Sequence, residues 1–273
     1  MLRILAAAGV ALIGITCQSA RAADAVLAAA VVPSTWTPSL VLDGSLGLLY
    51  TDNALASRNN RLDAEYVVPF LRMTFGLKSA DGWSYTVYAR TTSESYTERV
   101  ADNALATVGS TLSKTFMDTT VGVNFDTKFF YDGLFAARGP TAYDLSAFIT
   151  RPISIEQFGL IIVPRFTVGY RWADVATLER ASIDAQLSFE KELAKPWSIV
   201  GGGRVRVYWF QTAVVGPLPV DVYPSASLGV KYDFGHDITL TTSVAALARR
   251  SNIAAREYEK LDIGPSVDFK VVF

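Results

Sequence analysis

The side chains that most often perform catalysis are scarce in this sequence. It has one histidine, His236, within the turn-like stretch Phe234-Gly235-His236-Asp237, and one cysteine, Cys17. Histidine-based catalysis needs the ring held beside a nucleophile or a carboxylate, whereas a histidine in a short polar turn is usually a solvated residue. The sequence also lacks a Gly-x-Ser-x-Gly motif, a metal-ligand cluster and a phosphate-binding glycine loop. We therefore expect no enzyme activity, no metal and no cofactor.

Ionic side chains form a second set that could do chemistry, and their spacing is regular. In several segments, arginines and carboxylates stand at alternate residues with apolar residues between them. Alternate residues of a β-strand share one face, so these charges would line one polar surface and leave the opposite face apolar. The set comprises Arg72, Arg90, Arg165, Arg171, Arg204, Arg206, Asp43, Asp118, Asp184 and Glu190, followed near the segment ends by Lys231, Asp233, Asp268 and Lys270.

The elements that must position these charges are β-strands. Alternation of apolar and polar residues is clearest in residues 159–172, 181–191 and 223–234. We predict twelve strands in all, at residues 39–50, 65–78, 83–93, 112–125, 128–135, 142–151, 159–172, 181–191, 197–210, 223–234, 237–249 and 260–273. The strand at 128–135 fits least well because Phe129-Phe130-Tyr131 does not alternate. Merging it with its neighbours would leave ten strands.

The connections between the predicted strands are of two kinds. Those after every second strand are short, at residues 79–82, 126–127, 152–158, 193–196 and 235–236. The others are mostly longer and polar, at residues 51–64, 94–111, 136–141, 173–180, 211–222 and 250–259. Antiparallel strands that follow one another around a barrel place all connections of one kind at the same end. The sequence therefore predicts a barrel with tight turns at one end and loops at the other.

The N-terminal residues have the pattern of an export signal. Met1-Leu-Arg3 is a basic start, residues 5–16 are apolar but too few to span a bilayer, and Ala20-Arg21-Ala22 supplies small residues for cleavage. We predict a signal peptide over residues 1–22, an N-terminal periplasmic or lumenal segment over residues 23–38, and a barrel over residues 39–273. Cleavage would remove Cys17 and leave an exported chain without disulfides.

The last residues carry a recognisable pattern. From Leu261 onward every odd position carries an apolar side chain, and the chain ends on Phe273. With Phe269, Val271 and Phe273, this ending resembles the C-terminal signature of Gram-negative outer-membrane β-barrel proteins, in which the terminal Phe is an assembly signal. The resemblance extends to the signal peptide and to the rhythm of strands and loops, and it identifies no subfamily.

The resemblance implies a fold and a location. The fold would be an all-β transmembrane antiparallel up-and-down β-barrel of 12 strands, with 10 as the alternative and both termini periplasmic. The location would be the cell outer membrane. Outer-membrane lipid, lipopolysaccharide and, during insertion, the barrel assembly machinery would be its partners.

A membrane barrel also determines which way the alternating charges face. Arginine at the midplane of a lipid-facing wall costs about 2–4 kcal/mol, so the charges would face the lumen. A twelve-stranded barrel lies between filled eight-stranded barrels and open porins. We therefore expect a narrow porin-like channel for passive diffusion of small polar solutes. Arginines predicted at mid-height favour a mild anion preference, and a simple register across residues 193–196 predicts an Asp184–Arg206 ion pair.

Other functions stay open at this point. A barrel without a channel could bind, adhere or maintain the envelope through its surface loops, and an outer-membrane hydrolase using carboxylates alone is the less favoured alternative. The full chain has a formal net charge of −1, so no nucleic-acid partner is expected. The pentapeptide Asp52-Asn-Ala-Leu-Ala56 recurs as Asp102-Asn-Ala-Leu-Ala106, either by chance or as a duplicated hairpin or cation-binding loop. The solute and the oligomeric state are not predicted.

Overall fold

The computed structural model describes residues 36–133, 135–213 and 216–273. The predicted signal peptide and residues 23–35 of the predicted N-terminal segment lie outside the described residues. Within the described ranges, the helical elements are four three-residue 3₁₀ turns, and every other regular element is a strand. No helix in these ranges is long and apolar enough to cross a membrane.

Twelve long strands and one short strand make up a single antiparallel sheet. They are β1 (Trp36–Thr51), β2 (Ala64–Ser79), β3 (Trp83–Tyr96), β4 (Asn103–Phe116), β5 (Thr119–Asp132), β6 (Ala137–Thr150), β7 (Ile153–Ile155), β8 (Leu160–Ala173), β9 (Arg180–Ala194), β10 (Trp197–Phe210), β11 (Val220–Gly235), β12 (Ile238–Ser251) and β13 (Tyr258–Val272). Pairing of β1 with β13 and of β6 with β8 closes the sheet into a twelve-stranded barrel. The three-residue β7 pairs with β8 alone. The predicted twelve-stranded all-β barrel is confirmed.

The assignment of the fourth and fifth strands was wrong. The prediction placed strands at residues 112–125 and 128–135, whereas β4 and β5 meet at the tight turn Met117-Asp118. The predicted turn at 126–127 therefore lies in the middle of β5. The true turn has no glycine or proline to mark it, and Phe130 faces inward beneath Arg171, which interrupts the alternation of β5. Asp118 consequently lies in an exposed turn rather than on a strand face.

The two faces of the barrel wall have opposite polarity. The outward phase carries large apolar side chains that are strongly exposed, such as Val108 at 50% and Leu228 at 58%. The inward phase carries the charges, hydroxyls and most of the glycines. Few apolar residues are buried among those described, and Tyr66, Tyr96 and Ala64 form one small cluster. This inverted distribution suits a protein whose outer solvent is lipid.

The connections divide the barrel into two unlike ends. The turn end carries the connections at residues 80–82, 117–118, 151–159, 195–196 and 236–237 together with Phe273. Among the described residues, the loop end carries 52–63, 97–102, 133, 135–136, 174–179, 211–213, 216–219 and 252–257. Apart from the fourth and fifth strands, this is the predicted division. β1 begins at Trp36, three residues before the predicted barrel boundary.

The repeated pentapeptide takes two different conformations. Asp52 to Ala56 follow β1 into the loop end, whereas Asn103 to Ala106 begin β4. In both copies the aspartate accepts a backbone hydrogen bond from a neighbouring strand, from Leu261 N to Asp52 and from Tyr96 N to Asp102, each at 2.7 Å. The copies share this local role of the aspartate but not a duplicated hairpin.

Replacement of Phe273 by alanine should lower cellular yield without preventing folding in detergent. The Phe273 backbone N–H donates to Leu40 O at 2.9 Å, a bond that alanine keeps, while the ring is 71% exposed. If the ring is an assembly signal, the loss appears only where the assembly machinery acts. The test compares the heat-modifiable barrel in outer membranes and after refolding, with Phe116→Ala, an exposed aromatic at the same end, as control. Equal membrane yields of both variants would contradict the assembly role.

Candidate functional site

The clearest group on the inward face lies on β9 and β10. Asp184 and Arg206 stand directly opposite in the register of these strands. Arg206 Nε lies 2.8 Å from Asp184 Oδ2, so the predicted ion pair is confirmed. Arg204 Nε also donates to Asp184, at 2.8 Å from Oδ1. The Asp184 carboxylate, which is 13% exposed, thus pairs with two guanidiniums. This group of three side chains keeps an excess of positive charge.

A second group, centred on Asp144 of β6, was missed from the sequence. Arg171 of β8 makes two parallel hydrogen bonds to this carboxylate, at 2.6 and 2.7 Å. Lys128 of β5 contacts Asp144 Oδ2 at 2.5 Å and Asp126 Oδ2 at 3.9 Å. Lys128 and Asp126 were not predicted to face inward because β5 was assigned wrongly. Asp144 had a signal that could have found it, because it shares the phase of Ser146 and Phe148 in a correctly predicted strand.

On β1 to β5 the inward-facing charges are linked by an ion pair and by a tyrosine that reaches across a glycine of β4. Arg72 Nη2 lies 2.9 Å from Asp43 Oδ1. The guanidinium carbon of Arg90 lies 5.9 Å from the ring centroid of Tyr88, whose hydroxyl donates to Asp126. This hydroxyl crosses β4 at Gly109, where a Cβ would collide with both the Tyr88 ring and the Asp126 carboxylate. Gly109 therefore allows a polar contact between strands that are not neighbours.

Two further arginines of the inward phase lie against aromatic rings. The guanidinium carbon of Arg165 is 4.1 Å from the ring centroid of Phe148. That of Arg180, at the start of β9, is 3.9 Å from the Tyr208 centroid and 5.4 Å from the Phe210 centroid. The sequence reading included Arg165 and omitted Arg180, which it placed in a loop.

At the turn end, some inward-facing charges form an ion pair and others line a cavity. Glu190 pairs with Lys231. Asp233, Asp268 and Lys270 line a shallow cavity of about 410 Å³ together with His236. His236 is exposed in the β11–β12 turn, at the position expected of a solvated residue. Asp118 lies in another turn of this end, which corrects its predicted place on the lumen wall.

A buried ionic group lies at the loop end of β11 and β12. Asp221 of β11 is fully buried, and Arg249 Nη2 and Arg256 Nη2 lie 2.6 and 2.8 Å from its Oδ2. The Ser251 hydroxyl donates to the same carboxylate at 2.6 Å. The guanidinium carbon of Arg256 also lies 4.4 Å from the Phe210 centroid. Arg256 thereby ties the β12–β13 loop to the inner wall, a contact that a loop residue does not reveal in sequence.

The inward face is positively biased on one side. Strands β8, β9 and β10 present Arg165, Arg171, Arg180, Arg204 and Arg206 on this phase. Asp184 is the acidic residue among them, and Glu190 lies closer to the turn end. Among the described residues, no group of three or more His, Cys, Asp or Glu side chains is arranged to hold a metal ion. On these three strands the inward face therefore carries more guanidiniums than carboxylates.

Comparison with known proteins identifies the fold. No family model and no curated protein sequence matches the chain. An outer-membrane channel of Pseudomonas putida F1 matches with a TM-score of 0.52 and 11% identity, covering 88% of this chain and 97% of that one. A bacterial polysaccharide outer-membrane secretin matches with a TM-score of 0.50 and 10% identity, covering 86% and 98%. The chain has the fold of bacterial outer-membrane β-barrel proteins.

Proposed function

We propose that this barrel, which has the fold of outer-membrane channels, is a narrow porin-like channel for passive diffusion of small hydrophilic solutes. It resides in the cell outer membrane, inserted by the barrel assembly machinery among lipid and lipopolysaccharide, with its turn end in the periplasm. The observation that carries the proposal is the inward face, where ionic side chains from nearly every strand meet in a lumen. Outward-facing apolar residues at both ends of the wall suit contact with lipid.

The proposed channel has a mild anion preference. Fixed charges at a constriction set ion preference more strongly than the net charge of a protein does, because low-dielectric walls focus their field. Asp184 is shared by Arg204 and Arg206, and Arg165 and Arg180 contact aromatic rings, so this side of the lumen keeps a surplus of positive charge. Ion pairing offsets much of that charge, which keeps the preference mild.

Replacement of both Arg204 and Arg206 by glutamine should shift the channel towards cations. The double variant removes two guanidiniums and leaves Asp184 without either of these partners. The measurement is the reversal potential across a salt gradient in planar bilayers. We expect a small anion-selective potential for the natural chain and a neutral or cation-selective potential for the variant.

The control is Arg58→Gln combined with Arg250→Gln, which removes the same charge from two loop-end residues, each 55% exposed. Its potential should stay close to that of the natural chain because exposed charges are screened by salt. Cation preference of the natural chain, or equal potentials in all three proteins, would remove the arginines of β10 from the permeation path.

A further inference from the structure

Arg165 and Arg180, like Arg90 beside Tyr88 on β3, differ from most inward-facing arginines in what they contact. Arg72, Arg171, Arg204 and Arg206 each contact a carboxylate. Arg165 instead lies against Phe148, and Arg180 lies against Tyr208 and near Phe210. Within the described part of the chain, neither guanidinium has a carboxylate partner. Both side chains are partly buried in the barrel interior.

The chemistry of these two guanidiniums favours an external anion. A stacked ring covers one face of the guanidinium and leaves its N–H donors at the edge. Those donors are arranged as a planar fork that matches the two oxygens of a carboxylate. A partly desolvated cation without a counter-charge is unfavourable, so an anion arriving from solution is attracted to it.

The positions of the two residues place them in series. Arg180 lies at the loop end of β9 and pairs in register with Arg171 of β8. Arg165 lies on β8 between Arg171 and the turn end, about 20 Å from Arg171 at roughly 3.3 Å per strand residue. A solute that enters at the loop end therefore meets Arg180 first and Arg165 later, along one side of the lumen.

We propose that Arg180 and Arg165 are two successive binding stations for small organic carboxylates. The inference rests on the proposed channel function and names the solute class that the channel favours. Each station offers one guanidinium, which holds a carboxylate weakly enough to release it to the next station. Weak binding at several sites in sequence is what passage through a selective pore requires.

The test uses citrate as the probe in planar bilayers carrying chloride current. Millimolar citrate on the loop-end side should interrupt the current through the natural chain in a saturable manner. Arg165→Gln combined with Arg180→Gln should raise the citrate concentration for half-block at least tenfold. The charge-matched control, Arg58→Gln combined with Arg250→Gln, should keep the natural value within about twofold, because both residues are exposed at the loop end.

A lysine variant separates a carboxylate station from a general positive potential. Arg165→Lys combined with Arg180→Lys keeps the charge but loses the planar fork and much of the stacking. It should keep the anion preference in reversal potentials while needing several times more citrate for half-block. Block by citrate that is unchanged in the lysine or glutamine variants would overturn the stations.

Failure of the stations can be told from failure of the channel. Calorimetry measures citrate binding to the folded, heat-modifiable barrel in detergent, with or without conduction. Saturable binding that the glutamine variant loses would support the stations even if the barrel proved silent in bilayers. A conducting barrel that neither binds citrate nor is blocked by it would overturn the stations and leave the channel standing.

Discussion

Replacement of Gly264 by valine should prevent closure of the barrel. Gly264 lies on β13, where the pairing with β1 runs from Gly47–Ser266 to Tyr50–Ile263 and omits the residues between. A Cβ at Gly264 would collide with Leu48 O and lie 2.9 Å from Leu49 Cα. Because these atoms belong to the backbone of β1, no side-chain rotation relieves the collision. The closing pair of strands would have to separate locally.

The measurement is the fraction of protein that migrates as a compact band in SDS without boiling. We expect this fraction to fall more than tenfold for Gly264→Val, which corresponds to about 1.4 kcal/mol or more. Gly47→Ala is the matched control on the same seam, because its nearest neighbouring atoms would lie at an ordinary 3.7 Å. If both variants fold as well as the natural chain, β1 and β13 do not close the barrel in this register.

Replacement of Asp221 by asparagine should release the β12–β13 loop and destabilise the loop end. The carboxylate is fully buried and is shared by Arg249, Arg256 and Ser251. Removing one member of a buried ionic group leaves the remaining charges uncompensated, at a cost of about 3–5 kcal/mol. The exposed fractions of Arg249 and Arg256, 19% and 29%, place the expected loss at the lower end of that range.

Limited trypsin digestion tests this prediction directly, because trypsin cleaves after arginine and the β12–β13 loop contains Arg256. Cleavage at Arg256 should be much faster in the variant, and the urea midpoint should fall. Glu259→Gln is the control, because its partner Arg250 and Glu259 itself are more than 50% exposed and such pairs contribute about 0–1 kcal/mol. Digestion of Asp221→Asn at the rate of the control would show that Asp221 does not anchor the loop.

The sequence predicted those parts of the fold that depend on local alternation. The Asp184–Arg206 pair followed from two strongly alternating strands joined by a tight connection, since register is then fixed by counting residues from the turn. The C-terminal strand followed from the same pattern. These inferences needed only the pattern of one strand or the pairing of two strands joined by a tight turn.

The missed features depend on distant residues or on unmarked turns. Met117-Asp118 turns the chain without glycine or proline, so β4 and β5 were shifted and Asp118 was placed on the wall. The Asp144 group needs the registers of three strands at once. The anchoring of Arg256 by Asp221 joins a loop to a strand 35 residues away. Gly109 was missed because it permits the Tyr88–Asp126 contact only by lacking a side chain.

The central claim is that the charged lumen is an open path, and single-channel recording of the purified protein in planar bilayers tests it most directly. We expect discrete current steps whose reversal potential in a salt gradient is mildly anion-selective. Protein that is verified as a heat-modifiable barrel and yet gives no current steps would contradict the account. That result would favour a closed barrel that acts through its surface loops.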